Sequence, residues 1–304
     1  MSNPEIDALR AIMAARPRLT DLGEMRAGFS ARGLANGLVD DVLVEPVSAA
    51  GVNAEWTTTP GAFTQRAILY FHGGGYVVGS LDSHRHVVSE IGRAAATRVL
   101  ALDYRLAPED PFPAPVEDAL AAYRFLLAQG YAASSIALAG DSAGGGLVVA
   151  AMLAIRASGL PQPACGWAIS PWVDMLSTGA SITGKSAEDP MVQKEGLDMM
   201  ARLYVGGADP KNPLASPLYA DFTGLAPLFI QVGAAETLFD DAISLARLAG
   251  AAHVAVTLEV WPEMIHVWPL FHPNLAAGRK AIQNGGAFIR ATMDGVAPVT
   301  PRVG

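Results

Sequence analysis

The chain has 304 residues, 51% of them hydrophobic and only 16% charged, enough for a large buried core and too apolar for a disordered chain. Its 21 basic and 29 acidic residues leave a formal charge of −8, which repels phosphate backbones and anionic bilayers, so neither nucleic acid nor membrane is an expected partner. The one cysteine, Cys165, excludes an internal disulfide, has no zinc-ligand spacing around it, and reads as a small buried hydrophobe. Met1 to Met13 carries Glu5 and Asp7 and lacks the order of a signal peptide. The longest apolar run, Gly144 to Ile155, falls short of the roughly 20 residues that span a bilayer. A cytoplasmic protein is the expectation.

Residues 1–38 read as helices placed ahead of a sheet. Strand-like runs follow at Asp41–Pro46 and Ala67–Phe71, then helix His86–Ala96, strand Arg98–Leu102, helix Val116–Gln129 and strand Ser135–Ala139. Helix Gly144–Ser158, strand Gly166–Ile169, strand Pro227–Val232, helix Asp241–Ala249, strand Val254–Val260 and helix Leu275–Met293 complete the series. Such alternation predicts an α/β fold around a mostly parallel sheet, with an antiparallel start where no helix separates the first strands. Residues 176–218 break the pattern, being far longer than an ordinary connection between strands. They hold a helical stretch, Lys194–Tyr204, and a Pro/Gly/Asn-rich exit, Gly206–Pro217. The expected division is a core of 39–175 and 219–304, with 1–38 and 176–218 meeting over one mouth of the sheet, as lids do.

Gly140-Asp141-Ser142-Ala143-Gly144 fits the pattern G-x-S-x-G between a strand and a helix. A serine on such a tight turn projects its hydroxyl from the backbone, and the glycines keep side chains out of the neighbouring elements. About seventy residues upstream, His72-Gly73-Gly74-Gly75-Tyr76 follows another strand. Consecutive glycines let backbone N–H groups converge on one point, which an acyl-transfer enzyme needs for its oxyanion. His72 is expected to order this loop by hydrogen bonds. In a Ser…acid…His order, the base belongs in the loop after the last strand, where His266 stands. His84 and His86 precede it, His253 lies ahead of that strand, and His272 sits six residues further on in a Pro-containing segment. For the acid, Glu236 follows strand Pro227–Val232 directly, with Asp240 the alternative; Asp240 and Asp241 otherwise read as caps and dipole partners of the next helix. Gly179 to Ser186 satisfies G-x-x-x-x-G-K-[ST], but no strand runs directly into it and Glu188-Asp189-Pro190 stops any helix after one turn. His84 and His86 lack partners for a metal site.

Taken together, His72-Gly-Gly-Gly75-Tyr76, Asp103-Tyr-Arg-Leu-Ala-Pro-Glu109, Gly140-Asp-Ser-Ala-Gly-Gly145 and Pro262-Glu-Met-Ile-His266-Val-Trp make the chain resemble the bacterial hormone-sensitive-lipase-type (family IV) esterases of the α/β-hydrolase superfamily. The resemblance implies an eight-stranded, mostly parallel sheet flanked by helices under a helical cap. It implies Ser142 as nucleophile, His266 as base, and the N–H groups of Gly74, Gly75 and Ala143 as oxyanion donors. Where relatives with this elbow often carry Asp-Pro-Leu-x-Asp, this chain reads Glu236-Thr-Leu-Phe-Asp240, which aligns Glu236 with the acid. A serine carboxylesterase for short- to medium-chain acyl esters, or lactones, follows, with no cofactor and no metal; the family also allows a homodimer. Three alternatives stand beside it: a receptor without catalysis, opposed by the histidine at the base position, a nucleotide hydrolase, resting only on the 179–186 string, and a scaffold, which nothing supports.

Overall fold

A computed structural model of the chain describes residues 3–15, 19 and 21–296; the outer ends of the 1–38 and 219–304 segments lie outside these. Strands β1 (Leu43–Ala49) and β2 (Val52–Thr58) form a hairpin whose turn residues, Ala50 and Gly51, have φ of 55° and 94°. Left-handed conformations at both positions match the right-handed twist of the flanking strands. No strand is expected from the sequence at β2. Its alternation is masked because Glu55 and Thr57 are buried, and Glu55 is tolerated there because Arg85 meets both its oxygens at 2.8 Å.

Strands β3 (Phe63–Phe71), β4 (Thr97–Leu102), β5 (Ile136–Asp141), β6 (Cys165–Ile169), β7 (Leu228–Gly233) and β8 (Val256–Trp261) complete one eight-stranded sheet in the order β1-β2-β4-β3-β5-β6-β7-β8. β2 alone runs opposite to the other strands, antiparallel to both β1 and β4; β4, β3 and β5 to β8 are parallel. Helices α3 (Leu81–Ala95) and α9 (Ala276–Met293) cover one face through Val87, Val88, Ile91, Ile282 and Ile289. Against the other face pack α4 (Ala114–Ala128), α5 (Ala143–Ala157) and α8 (Phe239–Ala251). Covering both faces explains why β5 and β6 are buried at every residue and read as continuous apolar runs. Cys165 lies in β6, and burial pushes its thiol up to about 12. Helix α3 begins five residues before the expected His86, because Ser80 and Ser83 exchange side-chain-to-backbone bonds in a capping box.

The N-terminal segment forms α1 (Pro4–Ala14) and α2 (Leu22–Ala35), and the insertion between β6 and β7 forms α6 (Ser181–Gly184) and α7 (Lys194–Val205). Asp240 and Asp241 lie in the first turn of α8, but neither caps it. They hold the insertion instead: Asp240 accepts from the Ser181 N–H at 2.8 Å, and Asp241 from the Val173 and Asp174 N–H groups at 2.9 and 3.1 Å. The Gly179–Ser186 string sits in this insertion around the four-residue α6, away from any strand end. Among the described residues no helix is long and apolar enough to cross a membrane.

Candidate active site

Ser142 joins β5 to α5 with φ 55° and ψ −119°, a strained conformation for a non-glycine residue. The neighbouring glycines are required by space. A Cβ on Gly144 would overlap the Phe71 carbonyl, and one on Gly140 would run into the Gly144 carbonyl. Strain is held by two backbone bonds, one to the last residue of β6 and one to the segment after it: Ser142 N–H to Ile169 O at 2.8 Å and Trp172 N–H to Ser142 O at 3.0 Å. Ala143 is the first residue of α5, so its N–H faces outward at the positive end of the helix.

His266 reaches this serine from the loop after β8, its Nε2 lying 2.9 Å from Ser142 Oγ. Its Nδ1 lies 2.7 Å from Oε2 of Glu236, in the loop after β7. With Nδ1–H donated to the carboxylate, Nε2 is left as the acceptor of the serine proton. Burial alone would push the His266 imidazole down, but the Glu236 carboxylate outweighs it and the pKa is raised. Full burial likewise raises Glu236, against the pull of the hydrogen bond from His266. Asp240, the alternative acid, bonds the insertion and not His266. His272 stacks on His86 at 5.4 Å instead of approaching Ser142.

The glycine loop lies beside the serine, with Gly74 at φ 122° and Gly75 at φ 63°. Among the described residues no backbone carbonyl accepts from the N–H groups of Gly74, Gly75 or Ala143. His72 orders the loop as expected of it, its Nδ1 donating to Gly73 O at 2.8 Å while burial lowers its pKa to about 4. Beneath the loop, Asp141 accepts from the Tyr70 hydroxyl at 2.7 Å and the Gly73 N–H at 3.1 Å. Burial would raise this carboxyl, but the adjacent His84 and the Tyr70 hydroxyl hold it below its ordinary value. Segment Asp103–Glu109 buttresses the same loop: Tyr104 donates its hydroxyl to His72 O at 2.6 Å, and Ala107 N–H to Tyr76 O at 2.9 Å.

Both extra segments also arrive here. From α2, Arg26 donates to Val77 O and Ala107 O, each at 2.9 Å, and pairs with Glu109. From α7, Tyr204 stacks on Tyr76 at 3.8 Å, and the Met200 thioether fills the space where Gly75 would carry a Cβ. Sequence reasoning missed Asp141, Arg26 and Ser170 as members of this constellation. Ser170 had a signal for its place only, since it directly follows a central strand at the sheet edge where Ser142 also stands, and none for its partners. Arg26 had none, because its partners are 51 and 81 residues away. Among the described residues no group of three or more His, Cys, Asp or Glu is arranged to hold a metal.

A mostly parallel sheet carrying a serine on a strand-to-helix turn, with a histidine and a carboxylate on the next strand ends, is the architecture of an α/β hydrolase. Residues 68–270 match the family described as alpha/beta hydrolase fold. The chain is 46% identical over 300 residues to an acetyl-hydrolase of Streptomyces hygroscopicus, covering 97% of this chain and 100% of that one. It is 51% identical, with TM-score 0.94, to a crystal structure of an esterase from the bacterial hormone-sensitive lipase family, covering 96% and 99% of the two chains. Crystalline EstE5 soaked with p-nitrophenyl butyrate is 48% identical, with TM-score 0.93 and coverage of 96% and 100%. The chain therefore belongs to the α/β-hydrolase fold family and, within it, to the bacterial hormone-sensitive-lipase group of carboxylic ester hydrolases.

Proposed function

We propose that this enzyme hydrolyses short- to medium-chain acyl esters through Ser142, His266 and Glu236 by way of an acyl-enzyme. The observation that carries the reading is the continuous pair of hydrogen-bond distances, 2.9 Å from Ser142 Oγ to His266 Nε2 and 2.7 Å from His266 Nδ1 to Glu236 Oε2. Ser142 Oγ attacks the ester carbonyl as its proton passes to His266 Nε2, and Glu236 stabilises the imidazolium. The tetrahedral oxyanion accepts from the N–H groups of Gly74, Gly75 and Ala143, each worth on the order of 10²–10³ in rate. His266 then returns the proton to the departing alcohol. In the second half it takes a proton from water, which attacks the acyl-enzyme, and Ser142 recovers its proton as the acid leaves.

Residues 1–38 and 176–218 form the cap in this reading, over a core of 39–175 and 219–304. Short acyl chains are favoured because Met200 and the Tyr76–Tyr204 stack crowd the glycine loop. The acetyl-hydrolase relative and the p-nitrophenyl butyrate used with EstE5 support the same size range. The test is hydrolysis of p-nitrophenyl esters from acetate to palmitate, wild type beside Ser142→Ala, with EDTA present. The expected result is activity greatest on short chains, resistant to EDTA and lost in the variant. Activity that survives in Ser142→Ala overturns the nucleophile, and a preference for palmitate overturns the chain-length reading.

A further inference from the structure

Ser170 directly follows β6 and is completely buried, at φ +45°, in the left-handed region that serine seldom occupies. Its backbone is stitched into the sheet, the Ser170 N–H donating to Gln231 O at 2.7 Å. On either side of it, Ile169 and Trp172 make the two backbone bonds that hold Ser142. Its side chain turns to the other two loops of the site. Oγ lies 2.9 Å from Glu236 Oε1 and 3.1 Å from the Val267 nitrogen. A hydroxyl has one proton to give, so the arrangement is fixed: it donates to the carboxylate and accepts from the peptide N–H.

We propose that Ser170 is a positioning residue for the hydrolysis, its hydroxyl bridging the carboxylate of Glu236 to the peptide that follows His266 and so holding the imidazole in line with Ser142. The inference rests on reading Ser142, His266 and Glu236 as the reacting groups. Without the hydroxyl, Glu236 Oε1 keeps only the Gly233 N–H, and the buried Val267 N–H loses its acceptor. The geometry then loosens at both ends of the Glu236–His266 bond at once. The same hydroxyl proton favours the working form, with Glu236 ionised and His266 neutral, over the protonated pair. Asp189 of the insertion and Asp141 beside Ser142 are the other charges acting on this pair, and neither touches Ser170.

The experiment compares wild type, Ser142→Ala, Ser170→Ala and Ser170→Gly on p-nitrophenyl butyrate across pH, with folding checked by circular dichroism. Alanine keeps the backbone strain and removes the hydroxyl; glycine removes both, and carries the test alone if the alanine chain does not fold. The expected result is the same defect in both Ser170 variants. Turnover falls on the order of tenfold, KM stays within about twofold, and the acidic limb of kcat/KM moves to higher pH. A folded Ser170→Gly with wild-type turnover and pH profile overturns the proposal, because backbone conformation alone would then suffice. If Ser142→Ala stays active, the triad reading fails and takes this inference with it; if that variant is dead while Ser170→Gly is unimpaired, only the role of Ser170 falls.

Discussion

Glu236 and Asp240 stand four positions apart, and hydrogen-bond geometry separates them as partners for His266. Glu236 is completely buried with Oε2 at 2.7 Å from Nδ1, whereas Asp240 spends its carboxylate on the Ser181 N–H of α6. The two therefore fail differently when changed. Glu236→Gln is expected to lower kcat by about 10³–10⁴-fold with the fold intact, as loss of the orienting carboxylate does in serine hydrolases. Asp240→Ala is expected to keep near-wild-type turnover and to cost about 1 kcal/mol of stability for the lost bond to the insertion. Steady-state kinetics and urea unfolding of the two variants check both statements; an inactive Asp240→Ala would reverse the assignment. Glu236 was legible because it follows a strand directly. The role of Ser170 was not, because a serine at a strand end acquires its partners only when β7 and β8 lie alongside β6.

Among the elements, α1 stands in an unexpected place. Its Ile6 and Met13 pack with Met264, Ile265 and Trp268, the residues that flank His266. Arg10 donates to Glu263 O at 2.9 Å, and Glu5 accepts from the Ala276 N–H at 2.7 Å, supplying the cap that α9 lacks in its own sequence. The helix thus braces the His266 loop. Ile6→Ala would remove a side chain that is 1% exposed, a change that costs about 2–5 kcal/mol in a closed core. At a terminal helix that loss is taken locally, as opening of α1 together with the loop it covers. Hydrogen exchange is expected to quicken in 4–14 and 263–268 while β5 to β7 stay protected. Unchanged protection of 263–268 would show that the loop stands without α1.

For the whole molecule, Asp241 makes stability depend on pH. Its carboxyl is buried between α8 and the Val173–Asp174 backbone, and burial raises its pKa to about 8. A carboxyl whose folded pKa lies above its unfolded value of 3.8 contributes stability below that value and loses it as pH rises through the folded one. Wild type therefore carries a cost that grows between about pH 4 and pH 8. Asp241→Asn keeps an oxygen for both N–H groups and cannot ionise. Its unfolding free energy relative to wild type is expected to improve steadily across that window, as measured by urea denaturation at several pH values. A constant difference would mean that Asp241 does not titrate there.

Strand–helix alternation, the two glycine motifs and the order of serine, acid and histidine were all determined by the sequence, because each is a local signal. Apolar period and turn chemistry act within about a dozen residues. The same locality explains the failures. The strand β2 was hidden because Glu55 is made compatible with burial only by Arg85, thirty residues away. The tertiary structure alone decided which carboxylate meets His266, that Arg26, Asp141 and Ser170 hold the surrounding loops, and that α1 braces one of them. Those are contacts between segments brought side by side by the parallel sheet. Nothing in the spacing of single residues along the chain encodes such distances until the strands have taken their order.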